Sequence, residues 1–216
     1  MNRFTLTTTI IAASAAYASA STPTLGGPMS HLLVTVFNNQ VFLSFESPSL
    51  ATVTMQDSAE DFIGVASALN GFGYNAQFGW LANGFISLPP DAGVFVRALG
   101  VSPHLRVYEQ TTFNAILGTD GSTDVWQWNG TMTHNWFATD TFGPHFARYE
   151  VFVGDTSGNP LDGFQSASID LRFEYGQDPS GRIGVIGGGF VATNPTPGTL
   201  GFAAISLGCI TRRRRS

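Results

Sequence analysis

Residues 168 to 175 read Ser-Ile-Asp-Leu-Arg-Phe-Glu-Tyr, and they give the clearest indication of fold class in the chain. Its apolar side chains, Ile169, Leu171, Phe173 and Tyr175, alternate strictly with polar ones. Successive side chains of a β-strand point to opposite faces of its sheet. The stretch therefore predicts a strand that has one face in a hydrophobic core and the other face in water.

The same alternation recurs through the body of the chain, over residues 30 to 191. Turn-forming pairs such as Asn38-Asn39 and Asn83-Gly84 separate the runs, because Asn and Gly accept positive φ at low cost. Eight or more short strands predict an all-β fold, a single antiparallel β-sandwich of jelly-roll type. Further strands are predicted over residues 32 to 37, 41 to 46, 77 to 81, 94 to 99, 105 to 109 and 148 to 153.

One segment, residues 57 to 70, has helical features. Phe62, Val65 and Leu69 follow helical spacing, and acidic residues occupy the first turn. A short strand that ends at Asn70-Gly71 fits the same residues equally well, so both interpretations stay open.

Charge and cysteine content argue against a nucleic-acid-binding protein and against a disulfide-stabilised body. All ten basic residues are arginines, against 15 acidic residues, and five of the arginines (Arg3 and residues 212 to 215) lie in the terminal segments. The body therefore carries five arginines against 15 acids, a net charge of −10. This charge argues against a nucleic-acid partner, which clustered cations would have to bind. The single cysteine, Cys209, lies near the C-terminus, so packing and not disulfide bonding must stabilise the body.

The N-terminal segment has the three parts of a secretory signal peptide. Arg3 supplies positive charge, an apolar and small-residue stretch follows to about residue 16, and Ala18 and Ala20 are the small residues that signal peptidase accepts. We expect residues 1 to 20 to form a signal helix that signal peptidase removes after Ala20.

The C-terminal segment has the features of a short membrane anchor. Residues 192 to 198 form a proline-containing linker, and the apolar stretch of residues 199 to 211 follows it. As a helix this stretch would span about 20 Å, short of the ~30 Å hydrocarbon core of a bilayer, so we expect transient membrane contact. The terminal arginines would stay on the cytoplasmic side, which places the body outside.

The proline turn, short apolar helix and arginine run of residues 195 to 216 together resemble the PEP-CTERM sorting signal. Exosortase-type transpeptidases read this signal in bacteria that make extracellular polysaccharide. Thr196 replaces the usual glutamate of the motif, in a form similar to planctomycete-like variants of the tail. The residues that carry the resemblance are Pro195, Thr196, Pro197, Gly198, Arg212, Arg213, Arg214 and Arg215.

This resemblance implies an exosortase-type transpeptidase as a partner. It also implies that the exported chain is tethered briefly and then processed into the cell envelope or the extracellular matrix. Extracellular polysaccharide is the candidate partner there. We therefore predict a structural or interaction protein of the cell surface.

The richest aromatic segment of the body is residues 124 to 137. On one continuous strand its even positions would share a face, and a three-residue loop at residues 129 to 131 would keep that phase. A two-residue loop at residues 129 and 130 would place the later residues on the opposite face. The candidate ligand face consists of Trp126, Trp128, His134 and Trp136.

An exposed row of indoles would stack on sugar rings, which makes a carbohydrate-binding module the alternative function. A buried row would belong to the core, and we favour the core because large aromatic residues dominate sandwich interiors.

The body has no pattern that predicts catalysis, a cofactor or a metal. His104, His134 and His145 lack recognised ligand spacings, and the loops at residues 120 to 124 and 155 to 159 lack the calcium-loop pattern. There is no G-x-S-x-G elbow and no glycine-rich phosphate loop. We therefore predict that the protein is not an enzyme and that it needs no cofactor.

Overall fold

The computed structural model describes residues 21 to 46, 52 to 57 and 61 to 176. The predicted signal peptide, the end of the body, the linker and the apolar tail all lie outside this part of the chain. Two 3-10 helices, Gly64–Leu69 and Thr119–Gly121, accompany the strands. The strands are β1 (Ser30–Phe37), β2 (Gln40–Phe45), β3 (Val53–Asp57), β4 (Gly73–Asn75), β5 (Phe78–Ala82), β6 (Gly93–Val101), β7 (Arg106–Tyr108), β8 (Val125–Trp128), β9 (Trp136–Thr139), β10 (Gly143–Gly154) and β11 (Ala167–Tyr175).

The all-β prediction is confirmed. The strands form a small sheet, in the order β2-β1-β5, and a large sheet, in the order β7-β9-β4-β3-β11-β10-β6-β8, which curls into a half-barrel. The prediction of a wholly antiparallel arrangement is wrong, because β1 pairs with β5 and β11 pairs with β3 in parallel. Parallel neighbours need a long crossover connection, and alternation within a single strand carries no signal for one.

Residues 168 to 175 form most of β11, as predicted. Ile169, Leu171 and Phe173 are buried, whereas the polar residues between them face outward. β11 pairs with β10 in an antiparallel register, and on the outer face Arg148 binds the carboxylate of Asp170 through two hydrogen bonds of 2.6 and 2.8 Å. One face of β11 is therefore apolar, and the other carries polar side chains and the Arg148–Asp170 ion pair.

The main core lies where the small sheet meets the large one. The Phe78 ring of β5 contacts the Phe173 ring of β11, at a centroid separation of 5.6 Å, and Trp80 contacts Tyr149 of β10 at 6.2 Å. A second apolar cluster lies at the β7-β9-β4 end of the large sheet. That cluster contains Phe62, Leu69, Tyr74, Ala76, Tyr108, Trp136 and Ala138.

The segment for which a helix and a strand stayed open forms a short 3-10 helix in its described part. Asp57 ends β3, and residues 64 to 69 form one 3-10 helix. Gly64 has a φ of +64°, in the left-handed region that an α-helix does not contain. The Asn70 side chain holds the turn together, because it accepts a hydrogen bond from the Phe62 amide and donates one to the Phe62 carbonyl.

Candidate functional site

The tryptophan-rich segment does not form either predicted hairpin. β8, which carries Trp126 and Trp128, pairs with β6 at one end of the large sheet. β9, which begins at Trp136, lies between β7 and β4 near the opposite end. The first two tryptophans are therefore not beside the third. The prediction that they share one face is wrong, because β8 and β9 pair with different strands.

The side chains of the candidate ligand face are too buried to form an open stacking surface. Trp128 is 2%, His134 2% and Trp136 6% exposed, while Trp126 is partly buried against the main core. The buried indole N–H groups are satisfied internally, by the Thr131 carbonyl for Trp128 and by the Gln110 carbonyl for Trp136. A sugar platform needs exposed ring faces, and these side chains do not supply one.

The outer face of the small sheet carries a cluster that the sequence did not single out. His31 on β1 lies directly across from Glu46, whose backbone amide donates to the His31 carbonyl at 2.9 Å. The Nδ1 atom of His31 lies 2.5 Å from a carboxylate oxygen of Glu46. His134 reaches the same face, where its ring packs over Gly79 of β5.

The two imidazoles lie against each other. Their ring centroids are 5.5 Å apart, and the ring planes meet at 67°. A β-carbon on Gly79 would lie only 2.4 Å from Cε1 and 2.5 Å from Nε2 of His134, so the absence of a side chain there makes room for the ring. We call His31, Glu46 and His134 the imidazole cluster.

The partners of the imidazole cluster assign the protons. Nδ1 of His134 lies 2.8 Å from the Ala76 carbonyl, which accepts only, so Nδ1 carries the hydrogen and Nε2 carries the lone pair. Burial lowers the pKa of His134 below its ordinary value, and the neighbouring His31 lowers it further, against the raising effect of the carbonyl. The Nε2 atoms of both histidines are inaccessible to solvent and have no hydrogen-bond partner.

The other histidines and the two acidic loops have separate partners. His104 lies 3.6 Å from Asp140, and Nε2 of His145 lies 2.7 Å from the Thr141 carbonyl. Asp120 pairs with an arginine, and the Asp155 carboxylate accepts backbone hydrogen bonds within its own turn. Over the described ranges, no group of three or more His, Cys, Asp or Glu residues is arranged to hold a metal ion.

A groove of about 480 Å³ lies on the outer face of the large sheet. Strand register sets its shape: Gly100 of β6 lies opposite Arg148, which in turn lies opposite Asp170, and Phe146 lies opposite Arg172. Nothing fills the space above Gly100. We define the outer groove by its lining residues, Leu99, Gly100, Phe146, Arg148, Asp170 and Arg172.

The outer groove combines apolar surface with guanidinium groups. The side chains of Leu99 and Phe146 are exposed. Arg148 is engaged by Asp170, which leaves the second guanidinium, that of Arg172, beside the Phe146 ring across the strand pair. The groove can therefore present a stacking face and a positive charge to the same ligand.

No protein-family model, no curated protein and no solved structure matches the chain. Among the residues that the structure describes, no helix is both long enough and apolar enough to cross a membrane.

Proposed function

We propose that the chain is an exported structural or interaction protein of the cell envelope or the extracellular matrix, sorted through a PEP-CTERM-like tail. The observation that carries the proposal is the order of elements at the C-terminus. A Pro-Thr-Pro turn precedes an apolar stretch too short for stable spanning, and four arginines follow that stretch. The signal-peptide features at residues 1 to 20 agree with the same topology.

We further infer that residues 21 to 191 form a single domain, and that this domain is a β-sandwich. The support is the contact between the apolar faces of the two sheets, through the pairs Phe78 with Phe173 and Trp80 with Tyr149. Such a body resists denaturation by packing and needs no disulfide, which suits an exported domain whose one cysteine lies in the tail.

Mass spectrometry of the mature protein from its native host tests the sorting proposal. We expect a new N-terminus at Ser21 and the loss of residues 199 to 216 from the mature chain. Replacing Pro195 and Pro197 with alanine should leave the N-terminal cut unchanged and cause the tail to be retained. Recovery of the mature chain with residues 1 to 20 still attached, or of wild type with an intact tail in the matrix, would contradict the proposal.

The outer groove favours a second candidate function, the binding of an acidic extracellular polysaccharide. The exposed Phe146 ring offers an apolar surface for a pyranose face, and Arg172 offers charge-assisted hydrogen bonds to a carboxylate. The body as a whole is strongly acidic, yet two of the four arginines in the described residues line this groove. The alternative function therefore moves from the tryptophan segment to the outer face of β10 and β11.

Affinity electrophoresis through polygalacturonate, with a neutral glucan as the comparison gel, tests this candidate. We expect retardation in polygalacturonate alone, weakened roughly tenfold by Arg172→Gln, since one charge-assisted contact contributes about 1.5 kcal/mol. Phe146→Ala should also weaken it, because it removes the apolar stacking surface. Phe37→Ala is the matched control, because Phe37 is also exposed but lies at a hairpin of the small sheet. Equal retardation of wild type and both groove variants would exclude the groove.

A further inference from the structure

The imidazole cluster contains two buried nitrogens that nothing in the protein satisfies. Buried polar atoms are normally hydrogen-bonded, so each exception asks for an explanation. Here Nε2 of His31 and Nε2 of His134 are both without a partner, on rings whose centroids are 5.5 Å apart. Because the two rings are adjacent, a single occupant is the simplest partner for both nitrogens.

The hydrogen bonds on the far side of each ring are those that metal-binding histidines make. A metal-ligating imidazole typically donates its other N–H to a carboxylate or a backbone carbonyl, which fixes the ring and turns the free lone pair toward the ion. In this structure the Glu46 carboxylate engages Nδ1 of His31, and the Ala76 carbonyl engages Nδ1 of His134. Both rings are therefore set with Nε2 as the available donor.

We propose that His31 and His134 form a two-imidazole binding site for a late first-row divalent ion, Zn²⁺ or Cu²⁺. Imidazole nitrogens suit these ions, whereas Ca²⁺ and Mg²⁺ prefer oxygen ligands. Glu46 already engages His31, so it supports a ligand and is not itself one. The protein supplies two imidazole donors, and water molecules that enter with the ion supply the remaining ligands.

The imidazole cluster lies close to the surface. The side chain of His31 is 14% exposed and that of Glu46 is 53% exposed, whereas the two Nε2 atoms themselves are covered. The proposal does not depend on export or on polysaccharide binding, since it rests on residues of the body alone.

Isothermal titration calorimetry with Zn²⁺ and with Cu²⁺ tests the site on the full chain, stripped with chelator and carrying Cys209→Ser in every variant. We expect saturable binding of one ion per chain. His31→Ala and His134→Ala should each weaken it by about 100-fold or more, since losing a supporting partner alone costs about 10–100-fold. Glu46→Gln should weaken it about tenfold. His104→Ala is the control and should leave the affinity unchanged.

Two further measurements keep the test decisive if His134→Ala does not fold. Gly79→Ala places a β-carbon against the His134 ring and should reduce affinity while both imidazoles remain. In ¹⁵N spectra of the histidine rings, Zn²⁺ should shift Nε2 of His31 and His134, and leave His104 and His145 unchanged. Absence of saturable binding, equal affinity in His31→Ala and wild type, or shifts confined to His104 or His145 would overturn the proposal.

Discussion

Replacing Phe173 with alanine is expected to lower the free energy of unfolding by about 3–5 kcal/mol, the usual cost of deleting a buried phenylalanine ring. Phe173 is 1% exposed, and its ring contacts Phe78 of the small sheet and Phe137 of the large one. Because these contacts join the two sheets, the cavity cannot close without moving one sheet against the other. Urea unfolding followed by tryptophan fluorescence measures the loss.

Phe146→Ala is the matched control for Phe173→Ala. Phe146 lies on β10, the strand next to β11, but its side chain is on the outer face and exposed. We expect its replacement to change the free energy of unfolding by no more than about 0.5 kcal/mol, as is usual for surface substitutions. Similar losses for the two variants would show that the core does not lie on the face assigned to Phe173.

Local alternation was sufficient to predict which residues of β11 are buried, because the side-chain period of a strand is fixed by its backbone. The turn chemistry of the β1-β2 hairpin also follows from sequence. Asn38 and Asn39 both adopt positive φ, as a two-residue hairpin turn requires. Counting back from that turn pairs Phe37 with Gln40 and His31 with Glu46, so two of the three members of the imidazole cluster could have been predicted.

The third member of the imidazole cluster, His134, depends on long-range pairing. His134 follows β8 in sequence but reaches the small sheet through the bridge between Thr133 and Trp80 of β5. No periodic signal within residues 124 to 137 specifies that bridge, and none separates β8 from β9 across the large sheet. For the same reason the parallel pairs escaped prediction, since strand order is a property of the whole chain.

Replacing Gly73 with alanine is expected to lower the free energy of unfolding by about 1–3 kcal/mol, the range for overpacking a filled site. An added β-carbon would lie 2.2 Å from Cε2 of the Tyr175 ring. That ring cannot easily move, because the Phe142 ring stacks on it at 4.8 Å and its hydroxyl donates to Asp57 at 2.5 Å. The smaller backbone entropy of the unfolded alanine chain, about 0.4–1 kcal/mol, offsets only part of the overlap.

Gly100→Ala is the matched control for Gly73→Ala. It reports the general effect of adding a methyl group to a strand glycine, without the steric overlap with Tyr175 that occurs at Gly73. A β-carbon at Gly100 meets no atom within 4 Å, so this variant should be neutral or more stable by up to about 1 kcal/mol.

A double-mutant cycle between Gly73 and Tyr175 tests the overlap itself. The Tyr175→Ala background lacks the ring, so Gly73→Ala should lose most of its cost in unfolding free energy there. Thermal unfolding of the four proteins in the cycle measures this difference. A cost that is the same in both backgrounds would mean that Tyr175 does not pack on Gly73, and that β3, β4 and β11 do not meet at this point of the large sheet.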